Sequence, residues 1–261
     1  MIKRRELETY LNTLYHYDEF SDYCQNGMQI EGSKHIHKIA FGVSFNRLFL
    51  EKSVDWNADA LIVHHGIFGK NFFELTGILQ KKVKICLENG ISLFGIHLPM
   101  DAHPVIGHNA LLADMLGAKN REAFEVGCLC DNNEMHSLDR IIDIFIDKLD
   151  HEGPHSRGLN LVPHMKKGIQ FFNFGPKTPS RIGIISGGSG SSFETAIHAG
   201  ADTFICGDIR EQIPALAYET RSNFVNLGHY YSEKPGILKL MEKIKSDLNV
   251  ESNYFDIKNS V

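Results

Sequence analysis

The feature that most constrains this chain is a regular alternation of short apolar runs with amphipathic stretches. Ile36 to Ser44 (IHKIAFGVS), Ala60 to Val63 (ALIV) and Ile91 to Ile96 have the length and composition of buried strands. Between them, Arg47 to Ala58 and Ile78 to Asn89 carry helical periodicity, and Gly90 stands where a left-handed residue closes the second helix. Leu7 to Tyr15 reads as a short amphipathic helix, and Gly107 to Leu116 as another, closed by Gly117. Parallel strands need crossover connections of this kind, so the alternation predicts an α/β fold with mostly parallel sheets.

The pattern restarts near Gly127. Leu138 to Leu149, Phe193 to Ala199, Ile213 to Arg221 and Gly236 to Asn249 read as helices. Ile169 to Phe174, Ile182 to Ile185, Thr203 to Cys206, Asn223 to Leu227 and Asn253 to Ile257 read as strands. Ser21 to Gly32 (SDYCQNGMQIEG) and 151–165 read as connections. A chain of 261 residues fits one large or two modest domains. The expectation is two interlocked α/β lobes, residues 1–126 and 127–235, with 236–261 able to return to the first. A metal site is expected between them, at the carboxyl ends of strands.

Several classes are excluded or disfavoured. The longest apolar runs are a few residues, far short of the roughly 18–20 that span a bilayer. The N-terminal MIKRRELE has charge but no apolar stretch of a secretory signal. The five cysteines are odd in number and irregularly spaced, which predicts reduced thiols and a cytoplasmic location. Only Cys128 and Cys130 lie close together; a lone C-x-C is a weak zinc signal and reads better as buried thiols at a strand end. The formal charge of −5 weighs against nucleic acid as a partner.

Histidine is abundant, with 14 residues, and three groups follow predicted strands. His64 and His65 end the run ALIV, where Gly66 lets the chain turn; they read as ligands or as a capped strand end. Asp101 follows His97-Leu98-Pro99-Met100, where Pro99 stiffens the loop; a turn carboxylate is the alternative. His229 and Glu233 are spaced i,i+4 after the run NFVNL, so one helical turn puts both on a face; a solvated pair is the alternative. Taken together, five nitrogen and oxygen donors exceed a tetrahedral site with an open position. They suit two metals about 3.5–4 Å apart, with Glu233 able to bridge. A further stretch, Ser186 to Ser192 (SGGSGSS), joins a strand to a helix without the lysine of a P-loop or the glycine order of a dinucleotide fingerprint. It reads as an anion-attracting helix start or as a tight turn that needs glycine.

At these motifs the chain resembles the GTP cyclohydrolase I type 2 homologues, the Nif-three-like family. The matching stretches are SDYCQNGMQIEG (21–32), ADALIVHHGIFGK (58–70), GIHLPMDAHP (95–104), GGSGSS (187–192), GADTFICGD (200–208) and GHYYSE (228–233), in the family's order. The resemblance implies a dinuclear centre of zinc, iron or manganese held by His64, His65, Asp101, His229 and Glu233, with Glu233 bridging. It implies a homo-oligomer, a toroidal hexamer whose metal sites face an internal cavity. It also implies hydrolysis of a small-molecule substrate of the nucleotide kind. For GTP itself, water attacks C8 of the guanine ring and formate leaves. His97 lies close to the ligands in sequence and is expected either to shuttle a proton or to orient Asp101. Phe68, Tyr230 and Tyr231 either offer a purine surface or simply pack, and Lys70, Arg210 or the glycine-rich turn are the candidates for phosphate. Two other readings stay open: a dinuclear hydrolase acting on a phosphoester or other nucleotide derivative, and a non-catalytic metal-binding regulatory or chaperone assembly.

Overall fold

Five strands form the main sheet of the first of two units in the computed structural model, which describes residues 1–69 and 74–259. This unit comprises Met1–Met100 and Gly236–Lys258. Its strand order is Glu251–Tyr254, Lys38–Ser44, Ala60–His65, Ser92–Gly95, Gly27–Ile30. The first four run parallel, and Gly27–Ile30 joins the edge antiparallel. The central strands are apolar on both faces, as a parallel sheet covered on both sides requires. Phe49 and Leu50 of the helix Arg47–Asp55, and Val83 and Cys86 of the helix Gly77–Glu88, pack in one core with Leu61, Val63 and Leu93. The Asn46 side chain caps Arg47–Asp55 by accepting the Phe49 amide at 2.9 Å. The chain end belongs here because Glu251–Tyr254 pairs in parallel with Lys38–Ser44, and Phe255 and Ile257 pack on the same core.

One element of this unit departs from the sequence expectation. Residues 21–32 read as a connection, yet Gly27–Ile30 is a strand. Its alternation, Met28-Gln29-Ile30, is only three residues long, too short to read as a strand, and its strand conformation comes from pairing with Ser92–Gly95.

The second unit comprises Asp101–Pro235. Its seven strands are ordered Lys119–Phe124, Gly127–Asp131, Arg181–Ile184, Thr203–Cys206, Asn223–Asn226, Ile169–Asn173, His164–Lys166. Arg181–Ile184, Thr203–Cys206 and Asn223–Asn226 are parallel, as the crossover helices Phe193–His198 and Ile213–Thr220 demand. The remaining four strands are antiparallel additions, so this sheet is mixed rather than mostly parallel. The strand Lys119–Phe124 has no apolar alternation (KNREAF) and is exposed over most of its length. It forms a hairpin with Gly127–Asp131, with Glu125 in the left-handed region at φ 51°. That hairpin draws residues 101–126 into the second unit, and the division falls at Met100 instead of 126.

Phe172, Phe193, Phe204 and Phe224 fill the second core, Phe193 and Phe224 meeting edge to face at 5.2 Å. Leu138–Leu149 is a helix to the residue expected, capped by Ser137, whose hydroxyl accepts the Arg140 amide at 3.3 Å. Cys128 and Cys130 sit inside the strand Gly127–Asp131, and all five cysteines are free and buried. Among the described residues, no helix is long and apolar enough to cross a membrane.

Candidate metal centre

In the first unit the donors come from two strand ends. The strand Ala60–His65 carries both histidines in its last two positions, two residues further than the sequence suggested, and their rings lie 4.6 Å apart. His64 is fully buried, and its Nδ1 lies 2.9 Å from the Ile96 carbonyl. A carbonyl only accepts, so Nδ1 carries the proton and Nε2 the lone pair, the tautomer a metal ligand needs. His65 Nδ1 meets the Ser44 hydroxyl at 3.1 Å across the neighbouring strand. Gly66 follows because a Cβ there would stand 2.2 Å from Oε1 of Gln29, whose amide accepts the Ile67 amide and donates to the Ile67 carbonyl.

His97 follows the strand Ser92–Gly95. His64, His65 and His97 each bring a ring nitrogen within 4.8 Å of the other two. The His97 ring is held by Asp22: Nδ1 lies 2.9 Å from Oδ1, and both side chains are buried. Burial alone would raise the Asp22 carboxyl. Hydrogen bonds from His97, the Cys24 amide and Asn26 outweigh burial and hold it well below the usual carboxylate range. The other ring nitrogen, Nε2, lies 3.4 Å from the Tyr23 hydroxyl. Tyr23 and Phe68 form an exposed rim, their rings stacked at 5.6 Å and each edge-on to His97.

In the second unit the donors are two carboxylates, Asp101 and Glu233, and two imidazoles, His108 and His229. Asp101 lies in the short helix Leu98–Ala102, where a loop was expected. Pro99 sits in its first turn, where a missing N–H costs nothing. The buried Asp101 accepts the Ser186 hydroxyl at Oδ1, 2.8 Å, and its backbone carbonyl accepts Asn109 Nδ2 at 3.2 Å. Asn109 in turn accepts the Ser186 amide at 2.7 Å, so the start of the glycine-rich turn is tied to the carboxylate. Asp101 and the fully buried His108 present donor atoms within 4.8 Å of each other.

His229 opens the short helix His229–Ser232, and its Nε2 lies 3.1 Å from Glu233 Oε1, as the i,i+4 spacing predicted. The glycine-rich turn explains itself at this point. A Cβ on Gly187 would stand 2.1 Å from Glu233 Oε1 and 3.3 Å from His229 Nε2, and Gly187 has φ +63°. Its amide is taken by the Ser232 hydroxyl at 2.9 Å, and the Ser189 amide by the Gly187 carbonyl. The turn thus serves close approach to the carboxylate, and these amides are not offered to an anion.

Tyr230 and Tyr231 are buried. Tyr231 stacks on His151 at 4.0 Å, so these rings pack, and Phe68 remains as a surface ring. Lys70 lies outside the described residues. Among the described residues, the candidate donor clusters contain no cysteine. A set of imidazoles and carboxylates without thiolate, together with a glycine cradle that a Cβ would fill, fits a divalent ion such as zinc, iron or manganese. Sequence reasoning missed Asp22, His108, Asn109 and Ser186 as parts of these arrangements. Asp22 and Ser186 stood inside quoted motifs, but hydrogen bonds to His97 and Asp101 across 75 and 85 residues leave no local spacing signal.

Comparison with known proteins identifies the family. The Duf34/NIF3 (NGG1p interacting factor 3) family matches residues 2–260. The GTP cyclohydrolase 1 type 2 homolog of Neisseria meningitidis serogroup A is 32% identical over 260 residues, covering 99% of each chain. The protein of the same name from Haemophilus influenzae is 33% identical over 261 residues, covering 97% of this chain and 98% of its own. Among solved structures, protein ybgI, titled as of unknown function, superposes with a TM-score of 0.87 at 30% identity over 100% of both chains.

Proposed function

The chain belongs to the Duf34/NIF3 family, and from that premise we propose that it is a metal-dependent hydrolase of the GTP cyclohydrolase 1 type 2 kind. In this reading His64, His65, Asp101, His229 and Glu233 would hold two divalent ions, Glu233 being able to serve both, and the chain would work in the cytoplasm as a toroidal homohexamer. Two observations support the reading: in one unit the His64 imidazole is oriented by the Ile96 carbonyl, and in the other Glu233 and His229 are lodged against Gly187. Such ions, when bound, lower the pKa of water toward neutrality and polarise the substrate.

The chain's own residues supply the rest. Ile96 and Ser44 hold the imidazoles of His64 and His65 in place. Ser186 donates to Asp101 and keeps one carboxylate oxygen turned. His97 offers Nε2 to take a proton from the water that attacks C8 and to return it to the ring nitrogen released as the purine's imidazole ring opens. Tyr23 and Phe68 present faces on which a planar base stacks. The glycine-rich turn spends the amides of Gly187 and Ser189 internally, so recognition of a triphosphate falls to side chains such as Arg210.

The test measures metal content of protein purified without added metal or chelator, beside formate release from GTP on the same sample. About two metals per chain with GTP-dependent formate supports the reading. Two metals without formate removes GTP and favours a phosphoester substrate or a non-catalytic metal-binding assembly. Metal-free protein that takes up none on addition overturns the centre itself.

A further inference from the structure

The segment Asp22–Asn26 belongs to a motif that the metal ligands leave unexplained, and its contacts converge on one ring. Asp22 Oδ1 accepts the Cys24 amide at 3.0 Å and faces His97 Nδ1 at 2.9 Å. Asp22 Oδ2 accepts the Leu98 amide at 3.0 Å and Asn26 Nδ2 at 2.9 Å. Asn26 Oδ1 accepts the His97 amide at 2.7 Å. The carboxylate and the amide therefore clamp His97 through its backbone, the next residue's backbone and its ring.

We propose that Asp22 is the positioning residue of His97: it fixes the imidazole in the Nδ1–H tautomer and presents Nε2 as an acceptor beside Tyr23, on the side of His64 and His65. The Cys24 and Leu98 amides and Asn26 Nδ2 all donate to Asp22, and an ionised carboxylate only accepts. A ring nitrogen aimed at such a group must carry the proton. The remaining nitrogen then has only a lone pair to offer, and the Tyr23 hydroxyl at 3.4 Å is its donor. Nε2 thus stands ready either to take a proton from a reacting group or to ligate. The acid–base role rests on the hydrolase reading above; the tautomer does not.

The substitution that separates positioning from packing is Asp22→Asn, which is nearly isosteric. Both carboxylate oxygens face donors, so the new NH₂ must point at one set. Against Leu98 and Asn26 it meets two donors. Against Oδ1's partners it meets the Cys24 amide and a ring that can change tautomer. The variant is therefore expected to move the His97 proton from Nδ1 to Nε2.

The experiment is long-range ¹H–¹⁵N correlation of the histidine rings in metal-stripped and zinc-loaded protein. The His97 signals are assigned by their loss in His97→Gln. Wild-type protein should show Nδ1–H at His97 in both states, and Asp22→Asn should show Nε2–H in the metal-stripped state. A wild-type His97 protonated on Nε2 overturns the proposal, whether or not the variant folds. On substrate, Asp22→Asn should lower kcat about 10- to 100-fold with KM nearly unchanged. Should wild-type protein release no formate from GTP, the hydrolase reading fails while the ring spectra still decide the tautomer.

Discussion

The two units build their donor sites from different materials. In the first, three imidazoles stand at the ends of two neighbouring parallel strands, His64 and His65 on one and His97 after the other. Each ring is oriented by a partner: the Ile96 carbonyl, the Ser44 hydroxyl and the Asp22 carboxylate. In the second, the carboxylates of Asp101 and Glu233 stand in or beside short helices and are placed by a hydroxyl and by backbone proximity. The difference follows from the donors. An imidazole has two distinct nitrogens, so fixing one end decides what the other presents. A carboxylate has two equivalent oxygens, so its placement needs a neighbour that excludes the wrong positions. Ser186 does this for Asp101 by engaging one oxygen, and Gly187 makes room for Glu233 by leaving out a Cβ.

The comparison breaks first at Glu233. Glu233→Ala should remove both metals or leave one bound weakly, whereas His65→Ala should weaken one more than the other. Metal content by mass spectrometry decides, and an unchanged content in Glu233→Ala refutes the shared carboxylate. Next come the two glycines. Gly187→Ala puts a methyl against Glu233 Oε1 at a positive φ and should cost most of the bound metal. Gly66→Ala meets only the far end of Gln29 and should cost less than about threefold in metal affinity. If the two variants bind alike, the cradle has no special role.

The hydroxyl partners offer a finer test. Ser186→Ala and Ser44→Ala should each weaken metal affinity by about 10- to 100-fold through a misoriented ligand. The former is expected at the upper end, because Ser186 and Asp101 are both buried, where water replaces a lost bond poorly, whereas Ser44 and His65 are half-buried. Competition with a chelator measures both; loss for only one would mean that the orienting partner matters in only one unit.

Acid should distinguish the units as well. His151, in the second, has its pKa pushed down to about 4 by burial and by the Lys234 charge. Its unfolded form takes up a proton near pH 6.5 and its folded form does not until about 4. Its stabilising contribution is therefore full above pH 6.5 and declines as pH falls toward 4, by about 3 kcal/mol. Asp22, in the first, is held below the usual carboxylate range, so its contribution persists until pH falls below about 4. Urea midpoints between pH 7 and pH 4.5 should fall for wild-type protein and fall less for His151→Phe. Parallel slopes would assign the acid sensitivity elsewhere.

Much of the framework was legible in local patterns. Leu138–Leu149 and Thr203–Cys206 have the bounds that periodicity set, because a helix face and a buried run report their own burial. His229 and Glu233 meet as i,i+4 geometry says they must. Lys119–Phe124 and Gly27–Ile30 were not legible, since the first carries no alternation, the second only three residues of one, and each is a strand by virtue of its partner.

By itself, then, the sequence determined the α/β alternation, the metal-binding residue types and their positions after strands. These are properties of neighbours in the chain. Only the tertiary structure decided that Asp22 orients His97, that Ser186 turns Asp101, and that Gly187 exists to admit Glu233. Hydrogen-bond direction and steric exclusion act between residues that folding alone brings within about 3 Å of one another.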